Sequence, residues 1–323
     1  MVIIKKLIYS LMLILVLILT LTGSIQAQDQ NKIELLADNI VSGGPAPDGI
    51  PPLENPQYIS LEEANTYLDS EDVVFVLEAE GEVFVYPQRI MVWHEIVNEE
   101  IAGEKMSITY CPLTGSAIGY YGKISSKETT LGTSGKLVNS NLIMYDRASE
   151  SYWPQIFGTA ITGPAKGERL ERFPVIWSKW KLVKAKYEQA QVLSTETGYS
   201  RDYNRDPYGS YRENGEDADN YYSNSDLIFP VLAEDDTLDL KEVVIAGEYK
   251  NINFAILKNM LRREKEVEFD LEAEQFIARY DSSLDTVKVF VKEEDELIEL
   301  VVYDVMWFAW HAYFPEAVEN LII

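Results

Sequence analysis

The stretch Ile108-Thr-Tyr-Cys-Pro-Leu-Thr-Gly-Ser-Ala-Ile-Gly-Tyr120 constrains the fold more than any other part of this chain. A β-branched run leads to Cys111, Pro112 and Gly115 interrupt it, and the alternation of apolar residues then resumes. Because β-branched residues favour strands and proline and glycine break them, the pattern predicts a strand, a tight turn and a second strand. The thiol of Cys111, the only cysteine in the chain, is predicted to lie at the turn.

Several shorter patterns predict individual elements around this stretch. Residues 40–57 contain five prolines, which fix φ and remove amide donors, so they are predicted to form an extended arm laid over the domain. Ser60-Leu-Glu-Glu63 is a capping box that opens a short helix. Val73–Leu77 and Glu82–Tyr86 are predicted to pair as a hairpin. Phe173–Gln191 is predicted to be a helix, with two tryptophans on one face.

Two parts of the chain share an order of patterns, which predicts an internal repeat. The matched segments are Val73–Tyr86 with 243–256, Ile108–Tyr110 with Ile277–Tyr280, and Trp177–Trp180 with Trp307–Trp310. Cys111 aligns with Asp281, so the unusual residues belong to the first copy alone. The predicted fold class is therefore α+β and β-rich, with two diverged repeats of a strand-hairpin-plus-helix unit and an extended Pro/Gly-rich N-terminal arm.

The beginning of the chain is predicted to direct export. Lys5 and Lys6 precede an apolar run from Leu7 to about Leu21, and small residues lead to a cleavage point after Ala27, as in a secretory signal peptide. An uncleaved N-terminal anchor is the alternative, and it would be the only membrane contact. The protein is predicted to be secreted or to lie in the periplasm or cell envelope.

These patterns divide the chain into five predicted parts. They are a signal peptide or anchor (1–27), the extended arm with a short helix (28–71), a first repeat that carries the candidate site (72–195), an acidic Tyr- and Asn-rich connection (196–242) and a second, degenerate repeat (243–323). The formal net charge of −25 repels phosphate backbones, so nucleic acid is excluded as a partner.

The chain also resembles the domain of unknown function 3179 family, from about Gly43 to its end. The residues that carry the resemblance are Tyr86-Pro87, Trp93–Asn98, Tyr110–Gly115, Asn139–Arg147, Trp153-Pro-Gln155, Arg201–Tyr203 and Asp206–Gly209. The resemblance implies a bacterial or archaeal protein that often has a signal peptide or anchor, and it implies no established activity. Some relatives have a second cysteine at the position of Thr114, and its absence here argues against a dithiol redox role.

Cys111 and His94 form the first candidate site. A thiol becomes a nucleophile where an imidazole stabilises its thiolate, so the pair is a candidate for Cys–His catalysis. The same two side chains could instead hold a soft metal ion, copper or zinc, with further ligands. A buried, inert thiol beside a histidine bonded to backbone is the third interpretation.

Two other sets of polar residues are candidates for binding. Asn139, Asn141, Arg147 and Gln155 could bind a small anionic ligand, for which the arginine supplies a planar fork. Asp202, Asn204, Asp206 and Glu213 have the spacing of a calcium loop. Pro207 stands at position six, however, where such a loop needs glycine, so calcium is the weaker interpretation.

Three functions are consistent with these observations. The first is an extracytoplasmic binding module that holds a metal or small ligand around Cys111. The second is a Cys–His hydrolase or transferase that acts on envelope material, and the third is a structural envelope protein with an inert thiol. The identity of a small-molecule or envelope partner is left open.

Overall fold

The computed structural model describes residues 30–211, 220–294 and 296–323. Its helices, numbered in chain order, are α1 (30–38), α2 (Leu61–Ala64), α3 (Gln88–His94), α4 (Trp180–Lys186), α5 (Lys258–Glu264) and α6 (Trp307–Tyr313), followed by a 3-10 helix (Pro315–Asn320). The predicted signal segment, 1–27, lies outside the described residues. Among the residues that are described, no helix is both long enough and apolar enough to cross a membrane.

The strands are numbered in the same way. The first thirteen are β1 (Val41–Ser42), β2 (Leu53–Glu54), β3 (Tyr58–Ile59), β4 (Val73–Ala79), β5 (Glu82–Pro87), β6 (Ile96–Ile101), β7 (Glu104–Cys111), β8 (Ser116–Tyr121), β9 (Lys123–Ile124), β10 (Lys127–Glu128), β11 (Leu131–Val138), β12 (Asn141–Asp146) and β13 (Tyr152–Pro154). The others are β14 (Arg172–Phe173), β15 (Ile176–Lys179), β16 (Gln191–Leu193), β17 (Val243–Tyr249), β18 (Ile252–Leu257), β19 (Glu266–Leu271), β20 (Glu274–Asp281), β21 (Thr286–Glu293), β22 (Glu296–Leu300), β23 (Val302–Met306) and β24 (Leu321–Ile322).

The described strands form five small sheets, arranged as a five-bladed β-propeller, and one two-stranded ribbon of β9 and β10. Blade 1 has the strand order β15-β4-β5-β16-β3, blade 2 β14-β8-β7-β6-β2, and blade 3 β1-β11-β12-β13. Blade 4 has the order β23-β17-β18-β24, and blade 5 β19-β20-β21-β22. Strands β15, β16 and β23 return from later in the chain, so pairing between distant segments completes blades 1 and 4.

Neighbouring blades pack through buried side chains. The junctions, in order around the ring, are Phe75 against Tyr110, Asn98 hydrogen-bonded to Leu131, Leu142 in one cluster with Val244, Phe254 against Phe276, and Leu284 in one cluster with Val74. Strand β4 is apolar on both faces because it is covered by a blade on each side, as a continuous Val/Phe/Leu run requires. Near the propeller axis, β23 lies against β8, β15 and β21.

Several local predictions are confirmed. Strands β4 and β5 form the predicted hairpin, and Glu80 and Gly81 at its turn both have positive φ, at 51° and 81°. Ser60 caps α2, and Glu63 completes the capping box. The arm adds β1 to blade 3 and β2 to blade 2, but bends and a turn lie between these two strands, so the arm is extended only in part.

The predicted fold class, α+β with two diverged strand-hairpin-plus-helix repeats, is wrong. The first predicted repeat, 72–195, supplies strands to blades 1, 2 and 3, and the second, 243–323, supplies the strands of blades 4 and 5, so the chain forms one propeller of five sheets and not two equivalent units. The physical reason is that a small sheet with apolar residues on both faces needs another sheet on each side, which a closed ring supplies.

The predicted helix over Phe173–Gln191 is also wrong at both ends, because α4 ends at Lys186 and Gln191 already begins β16. Residues Ile176–Lys179 form β15 and pair with β4, and α4 begins only at Trp180. The β-branched and aromatic residues Ile176 and Trp177 lie opposite Val76 and Phe75, so pairing with blade 1 overrides the helical spacing. The two tryptophans, 177 and 180, therefore do not share a helix face.

Candidate functional site

Cys111 ends β7 at the predicted turn, and it pairs with Ser116 at the start of β8. The strand, turn and strand of this stretch are confirmed, but the thiol is only 1% exposed. Its sulfur accepts a hydrogen bond from the amide of Leu142 at 3.4 Å. Burial, with the nearby carboxyl of Glu95, raises the pKa of the Cys111 thiol to about 11. At neutral pH only about one thiol in ten thousand would be ionised, too few for an activated nucleophile.

His94, the last residue of α3, has hydrogen-bond partners other than this thiol. Its Nδ1 lies 2.7 Å from the carbonyl oxygen of Pro51 in the arm, and its Nε2 lies 2.7 Å from the hydroxyl of Tyr203. Desolvation lowers the pKa of the imidazole to about 4, so it is neutral. Among the described residues no hydrogen bond joins His94 to Cys111, and the structure does not assemble the predicted Cys–His pair.

The copper or zinc interpretation requires more ligands than this pair. Within residues 30–211, 220–294 and 296–323, no group of three or more His, Cys, Asp or Glu side chains is placed to hold a metal ion. Both ring nitrogens of His94 are already engaged by Pro51 and Tyr203. The geometry around Cys111 therefore gives a soft metal little support.

Asn141 and Gln155, from the predicted ligand-binding set, do lie together in the interior. Gln155 Oε1 accepts hydrogen bonds from Ser116 Oγ at 2.7 Å and from Asn141 Nδ2 at 3.0 Å, and its Nε2 donates to Thr109 Oγ1 at 2.9 Å. Asn141 Oδ1 accepts from the amide of Ile156 at 2.9 Å. Because each of these polar atoms has a protein partner, the network links blades 2 and 3 and has little capacity left for a ligand.

The other two members of that set lie apart from it. Asn139 donates to the carbonyl oxygen of Ala312 and accepts from the amide of Leu232, both at 2.9 Å. Arg147 forms ion pairs with Asp48 at 2.9 Å and Glu54 at 3.3 Å, and both acids belong to the arm. Asn139 and Arg147 thus hold chain segments in place, and the four residues do not form one pocket.

The predicted calcium loop uses its carboxylates internally. Asp202 Oδ1 accepts from the amide of Asn204 at 3.1 Å. Asp206 Oδ2 accepts from Gln88 Nε2 at 2.8 Å and from Tyr222 Oη at 2.9 Å, which ties the loop to α3. Burial raises the pKa of Asp206, and this disfavours the free carboxylate that a calcium site needs. Glu213, the proposed twelfth-position ligand, lies outside the described residues.

A cavity of about 220 Å³, here called the axial cavity, combines a largely apolar wall with several charged side chains. Strands from blades 1 and 4, helix α5 and the turn that ends at Gly115 all line it. Its charged lining residues are Lys179, Lys258, Arg262, Asp285 and Asp304, and its other principal lining residues are Trp177, Ser178, Tyr211 and Met306. Ends of strands that surround a propeller axis commonly line such a space, because side chains from several blades converge there.

Each cation that lines the axial cavity has a carboxylate partner. Lys258 Nζ, with a side chain only 3% exposed, forms an ion pair with Asp304 Oδ1. Arg262 holds Asp285 with two hydrogen bonds, from Nε at 2.8 Å and from Nη2 at 2.5 Å. Lys179 pairs with Glu71 at 2.9 Å. Burial raises the pKa of Asp304, while Lys258 acts in the opposite direction.

Ser178, one of the residues that line the axial cavity, carries a buried polar atom without a partner. The residue is 1% exposed, and its Oγ has no hydrogen-bond partner among the described residues. A buried hydroxyl without a partner costs about 1–3 kcal/mol, so it is uncommon in a native interior. No sequence pattern singles out this serine, because its neighbours around the cavity come from distant parts of the chain.

Glu95 is a second unusual residue that sequence reasoning missed. It follows α3 with a left-handed φ of 58°, which is uncommon for a residue with a side chain, and it is 7% exposed. Among the described residues its carboxyl makes no hydrogen bond, and desolvation raises its pKa to about 8. Its position directly after His94 was the only feature of the sequence that could have drawn attention to it.

The fold and the cavity together define a five-bladed β-propeller with a small axial cavity. The chain belongs to the family described as Protein of unknown function (DUF3179), whose profile matches residues 47–317. This confirms the resemblance inferred from the motifs. No curated protein and no solved structure matches the chain.

The thiol of Cys111 is expected to resist reagents in the folded protein. The Cys111 thiol is protonated and almost fully buried. Ellman's reagent at neutral pH should therefore label less than about a tenth of the native protein molecules in the time that gives complete labelling of the protein unfolded in guanidinium chloride. His94→Asn should leave this slow labelling unchanged, since both ring nitrogens of His94 are engaged by Pro51 and Tyr203 and not by the sulfur. Fast labelling of the native protein, slowed by His94→Asn, would restore the Cys–His interpretation.

Proposed function

We propose that this protein is a binding module that takes a small ligand in the axial cavity. The single observation that carries the proposal is Ser178, a residue of the cavity lining whose buried hydroxyl lacks a protein partner. A ligand that hydrogen-bonds to Ser178 Oγ would remove the cost of burying it unpaired.

The other side chains of the cavity suit binding more than chemistry. Trp177 and Tyr211 pack edge to face at 5.3 Å and contribute aromatic surface. Charged side chains at known positions fix the orientation of a ligand, and few polar groups on a mostly apolar wall are typical of small-molecule sites. The Cys–His enzyme is the less favoured alternative, because His94 and Cys111 do not interact and the thiol is not activated.

A fragment screen on a filled-cavity variant tests this proposal. Ser178→Leu should occupy the cavity, and fragments that bind the wild type in ligand-observed NMR should lose their binding to this variant. Ser125→Ala, an exposed serine outside the cavity lining, is the matched control and should bind as the wild type does. Circular dichroism would verify folding, and Tyr211→Ala, which removes part of the cavity wall, serves if Ser178→Leu does not fold. Binding that none of these cavity substitutions alters would contradict the proposal.

We further propose that the protein acts outside the cytoplasm, in the periplasm, the cell envelope or the medium. The support is the Lys5-Lys6 pair, the apolar run that follows it and the small residues before Ala27. Mass spectrometry of the envelope and medium fractions should find a mature N-terminus near Gln28, or the intact chain in the membrane fraction if the segment is an anchor. Recovery of the intact chain in the cytoplasmic fraction would contradict export.

A further inference from the structure

We infer that the ligand of the axial cavity is a neutral polyhydroxyl molecule of about the size of a monosaccharide. The inference rests on the proposed function, and it adds the chemical class of the ligand. Three properties of the cavity carry it: its balanced charge, its spare hydrogen-bonding groups and its size.

The charge of the cavity is already balanced. Lys258 is paired with Asp304, Arg262 with Asp285, and Lys179 with Glu71 outside the lining. A ligand with a net charge would either remain uncompensated or would have to separate one of these pairs. The Lys258–Asp304 pair is buried, so separating it would leave a buried charge without its partner, which is strongly unfavourable. A neutral ligand leaves all three pairs intact.

The cavity nevertheless has hydrogen-bonding capacity that its protein partners do not use. Ser178 Oγ has no partner, and among the described residues Asp304 Oδ2 accepts no hydrogen bond. Lys258 Nζ carries three N–H donors, of which the structure engages one, with Asp304 Oδ1. A hydroxyl both donates and accepts, so adjacent hydroxyls can satisfy this mixture of acceptors and donors without adding charge.

The remaining walls and the volume limit the ligand further. Trp177, Tyr211 and Met306 present apolar surface suited to the C–H face of a ring. The volume of about 220 Å³ lies below the roughly 300–1,000 Å³ of pockets that bury drug-sized molecules. A single six-membered polyol ring fits these limits better than an oligosaccharide or a large cofactor does.

The test compares three sugars that share one ring and differ in charge. D-glucose is the neutral probe, D-glucuronate adds a carboxylate, and D-glucosamine adds an ammonium group when measured at a pH where its amine is protonated. Isothermal titration calorimetry on the full mature chain should show saturable binding of D-glucose. Each charged sugar should bind at least about tenfold more weakly, the change expected where one charge lacks compensation.

Ser178→Ala links this preference to the cavity. It should weaken D-glucose binding about fivefold, the typical effect of one neutral hydrogen bond. Ser125→Ala should not change it. Loss of D-glucose binding in Ser178→Leu, with the fold retained, would show that the sugar occupies the cavity.

The outcomes separate this inference from the function on which it rests. A charged sugar that binds as tightly as D-glucose overturns the neutral-ligand inference and leaves a binding cavity. If fragments bind in the cavity and no sugar does, the polyol class is wrong while the proposed function stands. If neither sugars nor fragments respond to the cavity substitutions, both are wrong.

Discussion

Glu95→Gln is expected to remove a large part of the pH dependence of folding stability. The folded protein holds the Glu95 carboxyl with a pKa of about 8, against 4.5 for an unperturbed glutamate. Between these values the folded state binds a proton that the unfolded state releases, so the free energy of unfolding falls as the pH rises. The contribution of Glu95 to the free energy of unfolding is fully present below pH 4.5 and is lost by about pH 8. A pKa difference of this size corresponds to about 4–5 kcal/mol.

Urea unfolding at several pH values measures this effect. The difference in unfolding free energy between the wild type and Glu95→Gln should change by about 4–5 kcal/mol from pH 4.5 to pH 8, since glutamine does not titrate. Glu100→Gln, on the exposed side of β6, is the control and should follow the wild type at every pH. A pH-independent difference between the wild type and Glu95→Gln would show that the carboxyl is not held protonated.

The sequence predicts the local structure of this protein better than its architecture. The hairpin at Glu80-Gly81, the capping box at Ser60 and the turn after Cys111 depend on residues adjacent in the chain, and all are found. The number of blades depends on how hairpins pack against one another. The antiparallel pairing of β15 with β4, which lies far earlier in the chain, leaves no local pattern, so two repeats were predicted where five blades exist.

The candidate site was predictable to a smaller extent for the same reason. Asn141 and Gln155 were expected to lie near each other and do so. His94 is directed to Pro51 of the arm, a contact between distant segments that spacing does not reveal. Ser178, Lys258 and Asp304 come from three separated strands or helices, and each is an ordinary residue in its own neighbourhood. Only the closed ring makes them neighbours.

A second large effect of a single substitution on stability is expected at Asp146, at the end of β12. Its carboxylate is fully buried and accepts five hydrogen bonds, from the amides of Ala148, Ser149 and Ser151, the hydroxyl of Ser149 and the indole of Trp153. No lysine or arginine among the described residues pairs with it, so these donors alone compensate the burial of the charge. Hydrogen bonds to a charged group contribute about 1.5–3 kcal/mol each, and a donor left unpaired in the interior adds its desolvation cost.

Asp146→Asn keeps the shape of the side chain but turns one acceptor oxygen into an amide donor. Whichever way the amide is oriented, its N–H groups face protein donors, either the amides of Ala148 and Ser149 or the three donors on the other oxygen. We expect a loss of about 3–5 kcal/mol in the free energy of unfolding, measured by urea denaturation at neutral pH. Glu150→Gln makes the same change of charge at an exposed position of this turn and should change stability by less than about 0.5 kcal/mol. If both variants lose equally little unfolding free energy, the five hydrogen bonds do not stabilise the turn. Asp146 would then need a role other than the packing of blade 3.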